Sequence, residues 1–178
     1  MRVFIAIEFS DEIKNYLKQV QEIIKLGTKK GNFTIYDNFH VTLKYIGQVD
    51  DKGLDDLCDL IDTVASKVEP FDIKLGDIGL FKSRNSNIIW QGIVDGKKEL
   101  NNLYNLIESY IEEYGFEKEE RKYKPHITLA RQAIFNESSA LESIPLLTDK
   151  IKVDKITLML SARENGILKY TPLYRKDF

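Results

Sequence analysis

One cysteine, one tryptophan, two histidines, two methionines and four prolines are what this 178-residue chain has least of. With Cys58 alone, no internal disulfide can form, which argues against a stapled secreted scaffold. The chain has no Cys pair, no His-x-His and no His-Glu-x-x-His, so the usual spacings of metal ligands are missing and no metal or other cofactor is expected. No apolar run approaches the roughly 20 residues that a membrane span needs. Neither sign of charge is in excess: 26 basic residues face 28 acidic ones, for a net charge of −2. Proteins that grip long duplexes by releasing counterions are distinctly basic. The balance here leaves room for a short nucleotide or an RNA end held by a few local contacts.

Of the residues, 43% are hydrophobic and 30% are charged, as in an ordinary globular protein, and the length suits one domain. The apolar start, Val3 to Ile7, is short and is followed at once by Glu8 and Asp11; it reads as a first strand rather than a leader, and a cytoplasmic location is expected. Residues 11–26 have helical spacing, with Ile13, Leu17, Val20 and Ile24 on one face and Ser10 at the N-cap. A polar loop over 27–32 is expected next, then a strand over 40–46 that Gly47 ends. Helix two covers about 50–67. Its Leu54, Leu57, Ile61 and Val64, with Val68 beyond, put Cys58 on a buried stripe, as core rather than nucleophile.

Two strands follow, Phe71 to Phe81 and Asn87 to Val94, then a helix over 97–114 stopped by Gly115. A further strand begins at Pro125, and a loop with a short helix runs through Pro145. Strands at Val153–Ser161 and Ile167–Tyr174 close the chain, joined by the Asn165-Gly166 hairpin turn.

Both histidines occupy the same setting, His40-Val41-Thr42-Leu43 and His126-Ile127-Thr128-Leu129. Side chains alternate along a strand, so each motif projects its His and Thr together and sends the apolar residues to the other face. One His-x-Thr-Leu would mean little; two that account for every histidine mark a site. They stand 86 residues apart, about half the chain, which points to two similar lobes, each offering its central strand to a shared cleft.

Two imidazoles and two hydroxyls suit phosphodiester cleavage. One neutral imidazole draws a proton from water while a protonated one hands a proton to the departing oxygen on the far side of phosphorus. Threonine hydroxyls can donate to the non-bridging oxygens, where charge gathers.

At these residues the chain resembles the 2H phosphoesterase superfamily, and more closely its RNA 2′,3′-cyclic phosphodiesterases, historically called 2′-5′ RNA ligases. The resemblance covers nearly the whole chain: Arg2 to Ile7, Asn38 to Gly47, Gly79-Leu80-Phe81 with Ile89-Trp90, and Pro125 to Arg131. It implies an α+β, bilobal fold with two pseudo-symmetric lobes of antiparallel sheet, flanked by helices around a central cleft. It also implies metal-independent opening of a terminal 2′,3′-cyclic phosphate on RNA, or on a small cyclic nucleotide, to a 2′-phosphate. By that analogy His126 activates water, His40 protonates the leaving 3′ oxygen, and Thr42 and Thr128 hold the phosphate.

Arg131 carries over as a phosphate or nucleotide contact, although strict alternation aims it away, so it needs a strand end or a bulge to reach the site. Lys44, in phase with His40 and Thr42, adds positive charge there or else is a solvated strand-end lysine. Where relatives carry Trp-Val-Pro or paired basic residues, this chain has Phe33-Thr34-Ile35-Tyr36, and where they carry Glu-Ser it has Leu160-Ser161. Phe33, Tyr36, Tyr45 and Tyr123 are the aromatic candidates for stacking on a base. The alternatives from other classes are an RNA-end-binding module without turnover, and 2′-5′ RNA joining by the reverse chemistry.

Overall fold

The computed structural model describes residues 1–82, 84–135, 144 and 147–178. The expected short helix before Pro145 lies outside the described residues.

The chain alternates strands and helices: β1 (Arg2–Glu8), α1 (Asp11–Leu26), β2 (Thr28–Phe33), a 3-10 turn (Tyr36–Asn38), β3 (His40–Gln48), α2 (Asp51–Ala65), β4 (Phe71–Lys82), β5 (Asn87–Asp95), α3 (Lys97–Tyr110), β6 (His126–Phe135), β7 (Ile151–Val153), β8 (Lys155–Glu164) and β9 (Ile167–Asp177). They form two antiparallel sheets, of order β3-β1-β8-β9 and β2-β6-β5-β4-β7. The result is the α+β, two-lobed arrangement expected, with one revision. The first motif strand, β3, is the edge of its sheet and not its centre; the two motif strands meet where the lobes join.

β1 is buried from Val3 to Ile7 because β3 and β8 flank it and side chains cover both of its faces. α1 buries Ile13, Leu17, Val20 and Ile24 as expected, together with Gln21, and packs against β2 and β6. Ser10 holds the N-cap position, but its hydroxyl makes no cap bond. In α2, Asp50 caps instead, accepting from the Gly53 N–H at 2.8 Å. α2 and α3 pack on each other, with α2 against β8 and β9 and α3 against β3. Apolar side chains of both sheets and all three helices join in one buried cluster.

Three expectations are corrected. The polar stretch after Gly27 is strand β2, an edge strand whose exposed Lys29 and Lys30 suit an unpaired border. The strand expected from Val153 is two strands: β7 pairs with β4, the chain then passes Asp154, and β8 joins the other sheet. Cys58 is half-buried at the margin of the core rather than within the stripe. At the closing hairpin, Asn165 (φ 50°) and Gly166 (φ 82°) both take the left-handed conformation that this turn requires. No helix among the described residues is long and apolar enough to cross a membrane.

Candidate active site

A slip in pairing shapes both motif strands in the same way. On β3, Thr42 stands opposite Ala6 and Lys44 opposite Ile5, leaving Leu43 without a counterpart. On β6, Thr128 stands opposite Trp90 and Ala130 opposite Ile89, leaving Leu129 without one. One extra residue reverses the alternation beyond it. Leu43 and Lys44 are therefore both buried, as are Leu129 and Ala130, and Tyr45 and Arg131 turn outward at equivalent places.

The imidazoles are also held alike. His40 Nδ1–H donates to the Asn38 carbonyl at 2.7 Å, and His126 Nδ1–H to the Lys124 carbonyl at 2.7 Å. Each carbonyl lies two residues upstream, and each fixes the tautomer that leaves Nε2 as the acceptor of the neutral ring. Beyond this point the two differ. The Thr42 hydroxyl donates to His40 Nε2 at 2.9 Å, whereas His126 Nε2 has no protein partner among the described residues.

Aromatic rings wall both histidines. Phe4 and Tyr170 lie 5.0 and 5.1 Å from the His40 ring, and Phe81 and Trp90 lie 5.0 and 6.1 Å from that of His126. Trp90 lies flat across Gly79, where a Cβ would come within 2.1 Å of the indole. Burial pushes the His40 pKa down to about 4; the Asn38 carbonyl opposes this, and the charges of Arg131 and His126 add to it. Burial lowers His126 as well, with Arg131 contributing.

Two cavities carry the motif residues, and each draws on both lobes. One, of about 620 Å³, is lined by His40, Thr128, Arg131, Asn38, Arg163 and Tyr170. The other, of about 700 Å³, is lined by Thr42, His126, Tyr45, Phe81, Tyr123 and Lys124. The motif residues are thus paired across the lobes, His40 with Thr128 and Arg131 in one cavity and Thr42 with His126 in the other, with Arg131 brought round by the bulge. Hydroxyl, guanidinium and imidazole groups of this kind are ones that can bind an anion.

Lys44 corrects the expectation that it stands in phase with His40 and Thr42. The bulge at Leu43 buries it to 6%, where Nζ binds Glu108 at 2.7 Å and the Glu117 carbonyl at 2.8 Å. Glu108 also accepts from the Glu119 N–H at 2.9 Å, so the ion pair fastens the loop before β6 onto β3.

Of the stacking candidates, Tyr123 is engaged elsewhere. Its ring stacks on Tyr104 at 4.4 Å and its hydroxyl donates to the Thr42 carbonyl at 3.1 Å, which steadies that motif. Tyr36 donates to the Asp11 carbonyl at 3.0 Å, Phe33 lies under Lys25, and Tyr45 is 57% exposed at the rim. Asn38, at the head of the first signature, ties its turn to β9: it donates to the Leu168 carbonyl and accepts from the Tyr170 N–H, each at 2.9 Å. Phe81 belongs to the Gly79-Leu80-Phe81 stretch of the resemblance, whereas Tyr170 carried no motif signal, because its place beside His40 is set by neighbours in space. Among the described residues, no group of three or more His, Cys, Asp or Glu could hold a metal ion.

The family model described as LigT like phosphoesterase matches residues 7–90 and 93–168. The RNA 2′,3′-cyclic phosphodiesterase of Methanocaldococcus jannaschii is 31% identical over 80% of this chain and 78% of its own. That of Thermotoga maritima is 28% identical over 100% of this chain and 96% of its own. The crystal structure of Escherichia coli LigT complexed with 3′-AMP superposes with a TM-score of 0.79 at 26% identity, covering 99% of this chain and 97% of that one.

Proposed function

The chain belongs to the LigT-like phosphoesterases, and from this we propose that it opens a 2′,3′-cyclic phosphate at an RNA 3′ end, or on a small cyclic nucleotide, to a 2′-phosphate. The observation that carries the reading is the pair of imidazoles at the lobe crossing, both fixed at Nδ1 by a carbonyl and both left with Nε2 for chemistry. The names of the relatives and the nucleotide held by LigT support the choice of substrate.

In this mechanism His126, whose Nε2 is open, takes a proton from water as the water oxygen attacks phosphorus. The P–O3′ bond breaks on the opposite side, and the 3′ oxygen takes a proton from His40 Nε2. The 2′ ester stays intact, so the product is a 2′-phosphate. Thr42, Thr128 and Arg131 bind the non-bridging oxygens, where negative charge builds. His40 must be protonated before this step, although it is neutral near pH 7 in the free protein. The arriving anion supplies the field that favours this, and it draws the Thr42 hydroxyl off Nε2. Lys44 is assigned to holding the wall of the site rather than to the substrate.

The test is a short RNA ending in a 2′,3′-cyclic phosphate, incubated with the purified protein and EDTA. The expected product is the 2′-phosphate, with turnover lost in His40→Ala and in His126→Ala. Full activity in either variant sinks the two-histidine mechanism. Tight binding of the 2′-phosphate without hydrolysis by the wild-type chain assigns it instead to an RNA-end-binding module.

A further inference from the structure

Arg131 reaches the cleft only because β6 carries its extra residue at Leu129; without it, Arg131 would share the buried face with Ile127 and Leu129. The backbone there is irregular for several residues: Gln132 has a positive φ of 53°, and the pairing with β2 shifts between Asn32↔Arg131 and Lys30↔Ile134. Such a kink needs something to hold it.

Two side chains bind the carbonyls of this stretch: Gln21 from the core, and Thr34 from the wall of the cavity that His40, Thr128 and Arg131 line. Gln21 of α1, with 0% exposure, directs Nε2 at the Leu129 carbonyl (2.7 Å) and the Thr34 carbonyl (2.8 Å). Thr34 donates its N–H to the same Leu129 carbonyl at 2.9 Å and its hydroxyl to the Thr128 carbonyl at 2.8 Å. The Gln21 Oε1 is buried and has no partner among the described residues. A fully buried glutamine with an orphaned acceptor is a costly core residue whose polar contribution lies in its two donors. One donor holds the segment that turns Arg131, and the other holds Thr34, which binds the same segment.

We propose that Gln21 and Thr34 form a clamp that sets the β6 bulge, and so act as positioning residues that hold Arg131 against the substrate phosphate. The proposal rests on the reading of Arg131 as a phosphate ligand. Neither residue touches the reacting atoms; both act through the carbonyls of Thr128 and Leu129. Loss of the clamp releases the guanidinium from the cleft while leaving both imidazoles on their own carbonyls, so binding suffers more than the chemical step.

The experiment is a mutant cycle with RNA ending in a cyclic phosphate, using Gln21→Leu, Thr34→Val, Arg131→Met and each clamp variant combined with Arg131→Met. Thermal unfolding of every variant is followed alongside. Gln21→Leu is expected to raise KM about tenfold with kcat within about twofold, and Thr34→Val to act in the same direction more weakly. In the Arg131→Met background, neither clamp variant should raise KM further. If Gln21→Leu fails to fold, the Thr34→Val pair carries the test. Additive effects of clamp and Arg131 changes on KM, or a loss confined to kcat, overturn the clamp while leaving Arg131 as a ligand. A wild-type KM in Arg131→Met removes Arg131 from the phosphate, and the clamp proposal falls with it.

Discussion

The two motif strands share a plan and differ in what it presents. Each has the His-x-Thr-Leu order, the Nδ1–H on the carbonyl two residues upstream, and the slip at leucine. Past the slip, one strand buries Lys44 and exposes Tyr45, while the other buries Ala130 and exposes Arg131. One imidazole is capped at Nε2 by its own threonine; the other is open. The backbone repeats because strand geometry and two carbonyls suffice to aim an imidazole. The side chains one turn of alternation further on are free to diverge, and through them two equal sites become one site with unequal halves.

The largest expected effect addresses whether both halves are needed. His40→Ala and His126→Ala should each lower kcat by about 10²–10⁴, with the double variant scarcely lower, since groups that act in one step fail together. Single-turnover rates with cyclic-phosphate RNA check this. A deficit in only one variant would break the comparison by making the other ring structural.

Next comes the pair of buried positions, Lys44 and Ala130. Lys44→Met leaves Glu108 without its cation and should cost about 3–5 kcal/mol, read by urea unfolding. Lys44→Met with Glu108→Leu should recover most of that loss, because an apolar pair of similar volume replaces a desolvated ion pair. If the double variant stays as unstable as the single one, the ion pair is fixing the loop by more than charge balance.

Much of this asymmetry was beyond the sequence. Alternation correctly put His40 with Thr42 and His126 with Thr128, since two residues of regular strand carry no ambiguity. It failed at Lys44, two residues further, because a bulge is set by the facing strand and leaves no mark in the motif. The same blind spot made Arg131 conditional on a bulge that the structure supplies. Strand β2 was hidden because an edge strand facing solvent has the composition of a loop. The change of sheet at Asp154 was hidden because β-propensity says nothing of which partner a strand finds. The Asn165-Gly166 turn was legible, since its residues are required by its own dihedral angles.

Burial of the rings also sets how stability varies with pH. His40 has a folded pKa of about 4 against an ordinary value of 6.5, so between those values the unfolded chain binds more protons. Stability therefore rises with pH across that window and is lost as pH falls from 6.5 towards 4, by about 3 kcal/mol for this residue. His126, lowered as well, adds in the same direction. Urea midpoints measured from pH 7 to pH 4.5 should fall for the wild type and fall less for His40→Gln. Equal slopes for the two proteins would mean that the ring is solvated in solution.

The smallest effect tests the one hydrogen bond that separates the imidazoles. The Thr42 hydroxyl donates to Nε2 of the neutral His40 ring and, by turning, accepts from Nε2–H of the protonated one, and the bond to the charged ring is the stronger. Thr42→Val should push the His40 pKa further down in an NMR titration of the ring protons, and leave that of His126 in place. Thr128→Val should move neither ring by as much, since its hydroxyl makes no bond to an imidazole among the described residues. If both valine variants shift their own histidine equally, the free protein is more symmetric than its geometry, and the division of labour between base and acid arises only when the phosphate arrives.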